Sequence, residues 1–300
     1  MQNKAALESL TLAQRMPREE HIFLSFLRRF LRVRMVPLSV AILAALIIIA
    51  VFAPLIAPFD PDATSFRESL KNPSWQHFFG TDNLGRDTLS RVIHGARVSL
   101  TVGLISTIIS AGLGAPLGVT AGYLMGRTDN LISRFLEVLQ AFPSLVLAIA
   151  ITAALGPSIN NIMIALGVVL MPTNARLVRG EAISLSQRDF VEAARAIGAT
   201  DLRIMVRHVW PGVVTPLIVV STLNVAYAIL TEASMSFLGL GIQPPNPSWG
   251  GMLKQGYNWM QQSAWISIFP GLAIMLAVLA LNFLGDGLRD ATDPRLRKQL

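Results

Sequence analysis

Long apolar runs alternate with shorter polar stretches along most of the chain. Residues 36–57 form the first run, and about 20 residues suffice for a helix to cross a bilayer. A second run covers 98–124. A polar link, Gly126-Arg-Thr-Asp-Asn, then leads into a third helix whose apolar part extends to about Leu155, where Gly156-Pro157-Ser158 turns the chain. The fourth covers 159–171 or a few residues more and is interrupted by Pro172; the fifth covers 213–231 and the sixth 265–284. This pattern predicts an all-α integral membrane protein with six transmembrane helices. Composition agrees, since 52% of the 300 residues are hydrophobic, 14% are charged and the mean hydropathy is +0.53. Neither a soluble domain nor a disordered chain has that balance.

The polar segments have their own patterns. In the leader, residues 1–35, Phe23, Phe26, Leu27, Phe30 and Leu31 recur at helical spacing with Arg28, Arg29 and Arg32 largely off the stripe. Such a helix lies in the membrane interface against lipid. The leader is too long and polar for a cleaved signal, so the first span reads as an uncleaved anchor. Residues 58–97 form a segment between the first two spans in which Asp82 and Asp87 suit turn or cap positions and 88–93 suits a short helix. Residues 98–285 hold five spans, and 286–300 form a tail. Gly114, Gly118 and Gly122 place three bare patches on one face of the second span, where close helix packing is expected, and Pro116 is expected to bend that span.

Residues 190–211, FVEAARAIGATDLRIMVRHVWP, form a polar handle between two apolar segments. Its first half is rich in helix formers, Gly198 can close that helix in the left-handed conformation, and Thr200 can cap the next. Ala193 and Ala194 give the first helix a nearly bare face for docking, while Glu192 and Arg195 are spaced to pair. Pro211 is expected to block smooth continuation and to fix the angle at which the fifth span enters the membrane.

Charge orients the array. With six spans both ends share one side, and that side carries 19 Lys and Arg against 12 acids, whereas the other carries 6 of each. Positive loops stay cytoplasmic, which puts the handle and both termini there. The net charge of +7 is thereby a matter of topology, and nucleic acid need not be invoked.

Candidate chemistry is sparse. No stretch reads G-x-x-x-x-G-K-[ST], so the chain has no recognisable phosphate-binding loop for ATP, and neither H-E-x-x-H nor G-x-S-x-G occurs. The absence of cysteine removes thiol nucleophiles and thiolate metal sites. No catalytic, cofactor or metal residues are assigned. Asn224 and Asn282 lie within spans and Glu232 is expected at the outer mouth of the fifth; they are the candidates for a translocation path, with interhelical hydrogen bonding the alternative for the asparagines. An ion-driven secondary transporter would need intramembrane acids or bases, which the spans almost lack.

Glu192-Ala193-Ala194, with Gly198 and Pro211 at their spacing, resembles the EAA loop of ABC importer permeases, here about residues 181–211. GTDNLGRD, FLGLGIQPPNPSWGGML and NFLGDGLRDATDPR resemble the dipeptide/oligopeptide (peptide/nickel) branch, and its C-type subunit in particular. Trp210 and Thr292 stand where the family usually has leucine. The resemblance implies the type I importer fold, with Glu192, Ala193, Ala194, Arg195, Gly198 and Pro211 coupling to an ATPase. It further implies a second, homologous permease subunit, two cytoplasmic P-loop ATPases that bind ATP and Mg, and an extracytoplasmic solute-binding protein. The chain would be no enzyme itself, and would sit in a bacterial or archaeal plasma membrane. Dipeptides or oligopeptides are the implied cargo, with glutathione or nickel as alternatives.

Overall fold

A computed structural model describes residues 35–292 together with residues 30, 31 and 33. The amphipathic stripe expected from Phe23 onward lies almost entirely outside the described residues, as does the tail beyond Thr292. The regular structure of the described chain is helical, with loops over 57–87 and 239–248: α1 Val36–Val51, α2 Ala53–Ile56, α3 Thr88–Leu124, α4 Gly126–Gln140, α5 Ser144–Leu155, α6 Ile159–Ser186, α7 Asp189–Ala196, α8 Asp201–Ile204, α9 Trp210–Leu238, α10 Trp249–Asn258 and α11 Trp265–Thr292.

Four helical stretches are long and apolar enough to cross a membrane: α3, α6, the run from α8 through α9, and α11. The expected third span is bent, because α4 and α5 meet at 89°. Pro143, which has no N–H to donate, sits at the start of α5 and marks that break. The expected polar link at Gly126 is itself the first turn of α4. Helix α1 has 16 residues and rises about 24 Å, less than the ~30 Å hydrocarbon layer, with α2 continuing the apolar segment.

Proline interrupts less than its chemistry alone implies. Helix α6 runs unbroken through Pro172 for 28 residues. Pro211 likewise does not stop the chain, since one helical run extends from Asp201 to Leu238. The turn before it, Met205–Val209, is wider than an α-turn, and Trp210 N–H donates to Met205 O five residues back. That widening relieves the clash a proline ring makes with the carbonyl four residues earlier. The short helix expected at 88–93 is the start of α3, 37 residues long, which Asp87 caps by accepting from Ser90 N–H.

The bundle is built around α3 and α6, the most extensively packed pair. A Cβ at Gly114, Gly118 or Gly122 would lie under 3.0 Å from Met171 O, Ala175 O or Arg179 O respectively, so the two backbones touch along three turns. Near the start of α3, a core of Trp249, Ile229, Ala277 and Leu43 joins α10, α9, α11 and α1 to it. At its other end, Tyr123, Ala182, Val191, Ala194, Ile204 and Val213 join α3 and α6 to the α7–α8 hairpin and to α9. The ends of α3 are about 55 Å apart, so these cores occupy opposite ends of the bundle.

Candidate coupling hairpin and translocation cavity

The hairpin is made by one glycine. Gly198 has φ +82°, the left-handed region, and an added Cβ would meet nothing within 4 Å. Ala199 N–H donates to Ala194 O at 3.0 Å and Gly198 N–H to Arg195 O at 2.9 Å, the paired bonds that close a helix at a left-handed residue. Thr200 precedes α8, but its side chain makes no capping bond.

The two alanines of the motif part company. Ala194 is buried in the core with Val191 and Ile204, while Ala193 faces outward. The exposed surface therefore consists of Glu192, Ala193, Arg195, Gly198 and an apolar tip in which Ile197 is 86% exposed and Leu202 68%. Sequence spacing picked out the alanines and missed the tip, although Ile197 beside a left-handed glycine has nowhere inward to turn.

Glu192 and Arg195 do not form the expected ion pair. The Arg195 guanidinium lies over the Tyr123 ring, 5.2 Å from its centroid. The Tyr123 hydroxyl donates to Asp201 Oδ1 at 2.8 Å. Tyr123, on α3, thus touches both arms of the hairpin. Its partners lie more than 70 residues away in sequence, so no local pattern points to it.

Between α5, α6, α9 and α11 is a cavity of about 490 Å³ whose polar lining is Ser144, Thr173, Asn224, Tyr227 and Asn282. No charged residue lines it. Asn224 also takes part in an interhelical chain: its Nδ2 donates to Asn174 Oδ1 at 2.9 Å, and Asn174 Nδ2 donates to Ser110 Oγ at 2.7 Å. Asn224 therefore serves both readings, lining the cavity and tying α9 to α6.

Glu232 is placed otherwise than expected. It belongs to α9, is fully buried, and does not line the cavity. Ser236 Oγ donates to Glu232 Oε1 at 2.6 Å and Ser99 Oγ to Oε2 at 3.4 Å. Serine four residues on supplies a donor on the same helix face, so the carboxylate need not end the helix.

Near the start of α3, the GTDNLGRD stretch forms a cross-bonded block. Asp82 accepts from Leu84 N–H, Arg86 N–H and Arg86 Nε at 2.7 to 3.0 Å. Arg86 also donates to Gln255 of α10 at 3.2 Å, and His77 Nδ1 lies 2.8 Å from Asp87 Oδ1. Among the described residues no group of three or more His, Asp or Glu could hold a metal ion.

Residues 114–298 match the model of the binding-protein-dependent transport system inner membrane component, and residues 23–73 match the N-terminal TM domain of oligopeptide transport permease C. A Brucella abortus protein named as a peptide transport system permease is 46% identical over 272 residues, covering 91% of this chain and 92% of its own. The glutathione transport system permease protein GsiD of Shigella boydii is 47% identical over 273 residues, covering 91% and 90%. Among solved structures, the MetNI methionine ABC transporter in inward-facing conformations shares the fold, with a TM-score of 0.56 at 19% identity, over 68% of this chain and 97% of that one.

The chain belongs to the family of binding-protein-dependent transport inner-membrane components, the permease subunits of ABC importers. Within it, the chain is a C-type permease of the peptide/nickel branch, a multi-pass inner-membrane transport subunit and not an enzyme. Such permeases work with ATPase and binding-protein partners.

Proposed function

We propose that this chain is one of two unlike permeases of an importer for dipeptides or oligopeptides, energised by two cytoplasmic ATPases and supplied by an extracytoplasmic solute-binding protein. The exposed hairpin is the observation that carries the proposal. An apolar tip on an exposed, glycine-closed corner is suited to a groove on another protein, and the excess of positive charge on its side of the membrane favours a cytoplasmic location. Glu192, Ala193, Arg195 and Gly198 present the docking face, Ala194 anchors it, and Pro211 lies where the hairpin run enters α9. ATP and Mg are held by the ATPases; their closure moves the hairpin and turns the permease pair from inward-open to outward-facing.

Peptide as cargo is supported by the names of the relatives and by the uncharged cavity, whose two asparagine amides and three hydroxyls can bond to peptide groups without fixing side-chain charge. Glutathione import is the second reading, favoured by the GsiD relative. The test is to extract the tagged chain in mild detergent, identify what remains bound, and measure uptake by the reconstituted assembly. Two P-loop ATPases, a second permease and ATP-dependent uptake of a labelled dipeptide are expected. A chain recovered only with itself would overturn the importer assembly, and uptake competed by glutathione but not by peptides would overturn the cargo.

A further inference from the structure

Besides the helical run that carries its second arm on into α9, the hairpin is joined to the bundle through apolar contacts and through one polar residue. Val191, Ala194 and Ile204 pack into the core beneath it, but such contacts are non-directional and permit tilt. Among the described residues, Tyr123 is the only side chain outside residues 189–204 that hydrogen-bonds to them. It does so at the end of α3, only 4% exposed, where Gly122 beside it presses on Arg179 O of α6. The residue therefore stands on the most extensively packed helix pair among the described residues. Its ring lies under Arg195 on the first arm and its hydroxyl reaches Asp201 on the second, so one side chain fixes both arms relative to α3.

Resting on the reading of the hairpin as the coupling element, we infer that Tyr123 is a positioning residue for energy coupling: it transmits hairpin movement to α3. A hydrogen bond to a charged group is directional, and a side chain that bonds to one arm while its ring carries the guanidinium of the other converts rotation of the hairpin into force on the helix that bears it. Without the hydroxyl the hairpin still docks, but can turn without carrying α3 along. ATP is then hydrolysed with less substrate moved per cycle.

The assembled importer in lipid vesicles, with its binding protein and a labelled dipeptide, supplies the test through the ratio of uptake to ATP hydrolysed. Tyr123→Phe keeps the ring beneath Arg195 and removes only the hydroxyl; the ratio is expected to fall about fivefold while the amount of assembled complex is unchanged. Tyr123→Ala loses both contacts and is expected to lower the ratio by about tenfold or more. Asp201→Ala should reproduce the Phe effect, and the double variant should add nothing to it. A residue that merely filled space would reduce complex yield, uptake and hydrolysis together and leave the ratio at the wild-type value; that result for Tyr123→Phe overturns the inference, whatever the alanine variant does. Gly198→Trp, which places a bulky group on the docking face, separates the role of the hairpin from that of Tyr123. A lowered ratio in Gly198→Trp beside a wild-type ratio in Tyr123→Phe would sink the role of Tyr123 and leave the coupling hairpin standing. Wild-type ratios in both would remove the coupling reading and the inference with it.

Discussion

The two ends of α3 solve opposite problems. At its start, the block around Asp82 and Asp87 buries polar groups and bonds them to one another and to α10: Asp82 is 2% exposed and accepts from three donors of its own loop and from Gln255, and Asp87 both caps α3 and meets His77. Near its other end, the α7–α8 hairpin leaves apolar side chains in the open and relies on Tyr123 for its one side-chain hydrogen bond to the bundle among the described residues. Buried polar networks specify one arrangement, and an incomplete apolar surface specifies a partner. The same helix thus starts in a buried polar network and ends beside an exposed apolar surface.

Substitutions in the two regions should therefore differ most in what they disturb. The largest stability effect is expected in the block: Asp82→Ala removes the carboxylate partner of the buried Arg86 guanidinium, leaving it only Gln255, and should cost about 3–5 kcal/mol, read as loss of folded protein or a lowered unfolding temperature in detergent. Gly198→Leu should cost about 1–2 kcal/mol, because a side chain at φ +82° is strained although space is open, and it should reduce uptake in proportion far beyond its effect on stability. Smallest for the fold is Ile197→Ser, expected within about 0.5 kcal/mol of wild type in the same unfolding assay. Its measurable effect should be weaker retention of the ATPases during purification. Equal stability losses for Asp82→Ala and Ile197→Ser would erase the contrast between the regions.

Much of the fold was legible in the chain because hydrophobic length and the capping role of Asp87 are local properties. The left-handed corner was legible for the same reason: glycine between two helix-forming stretches has few other uses. What failed to show was nonlocal. Ala194 turns inward because Val191 and Ile204 make a core there, which spacing within the motif does not reveal. Arg195 prefers a tyrosine 72 positions earlier to the glutamate beside it. Glu232 looked like the end of a span because a lone carboxylate is costly in an apolar helix, yet Ser236 and Ser99 supply the donors that make its burial tolerable. Pro172 and Pro211 interrupt the helices less than proline chemistry implies for a related reason: helix continuity in a packed bundle survives a missing N–H, and at Pro211 a widened turn removes the ring clash.

The central claim is that the tip of the hairpin seats in an ATPase. The chain has no cysteine, so Ile197→Cys introduces a unique thiol on which a photoreactive crosslinker can be placed in the full complex. Trp75→Cys, at a position 93% exposed in the segment before α3, serves as the control on the other end. Irradiation should join the chain to an ATPase subunit from position 197 and not from position 75. An assembled, transporting complex that yields no ATPase adduct from position 197, or yields one from position 75, would contradict the account.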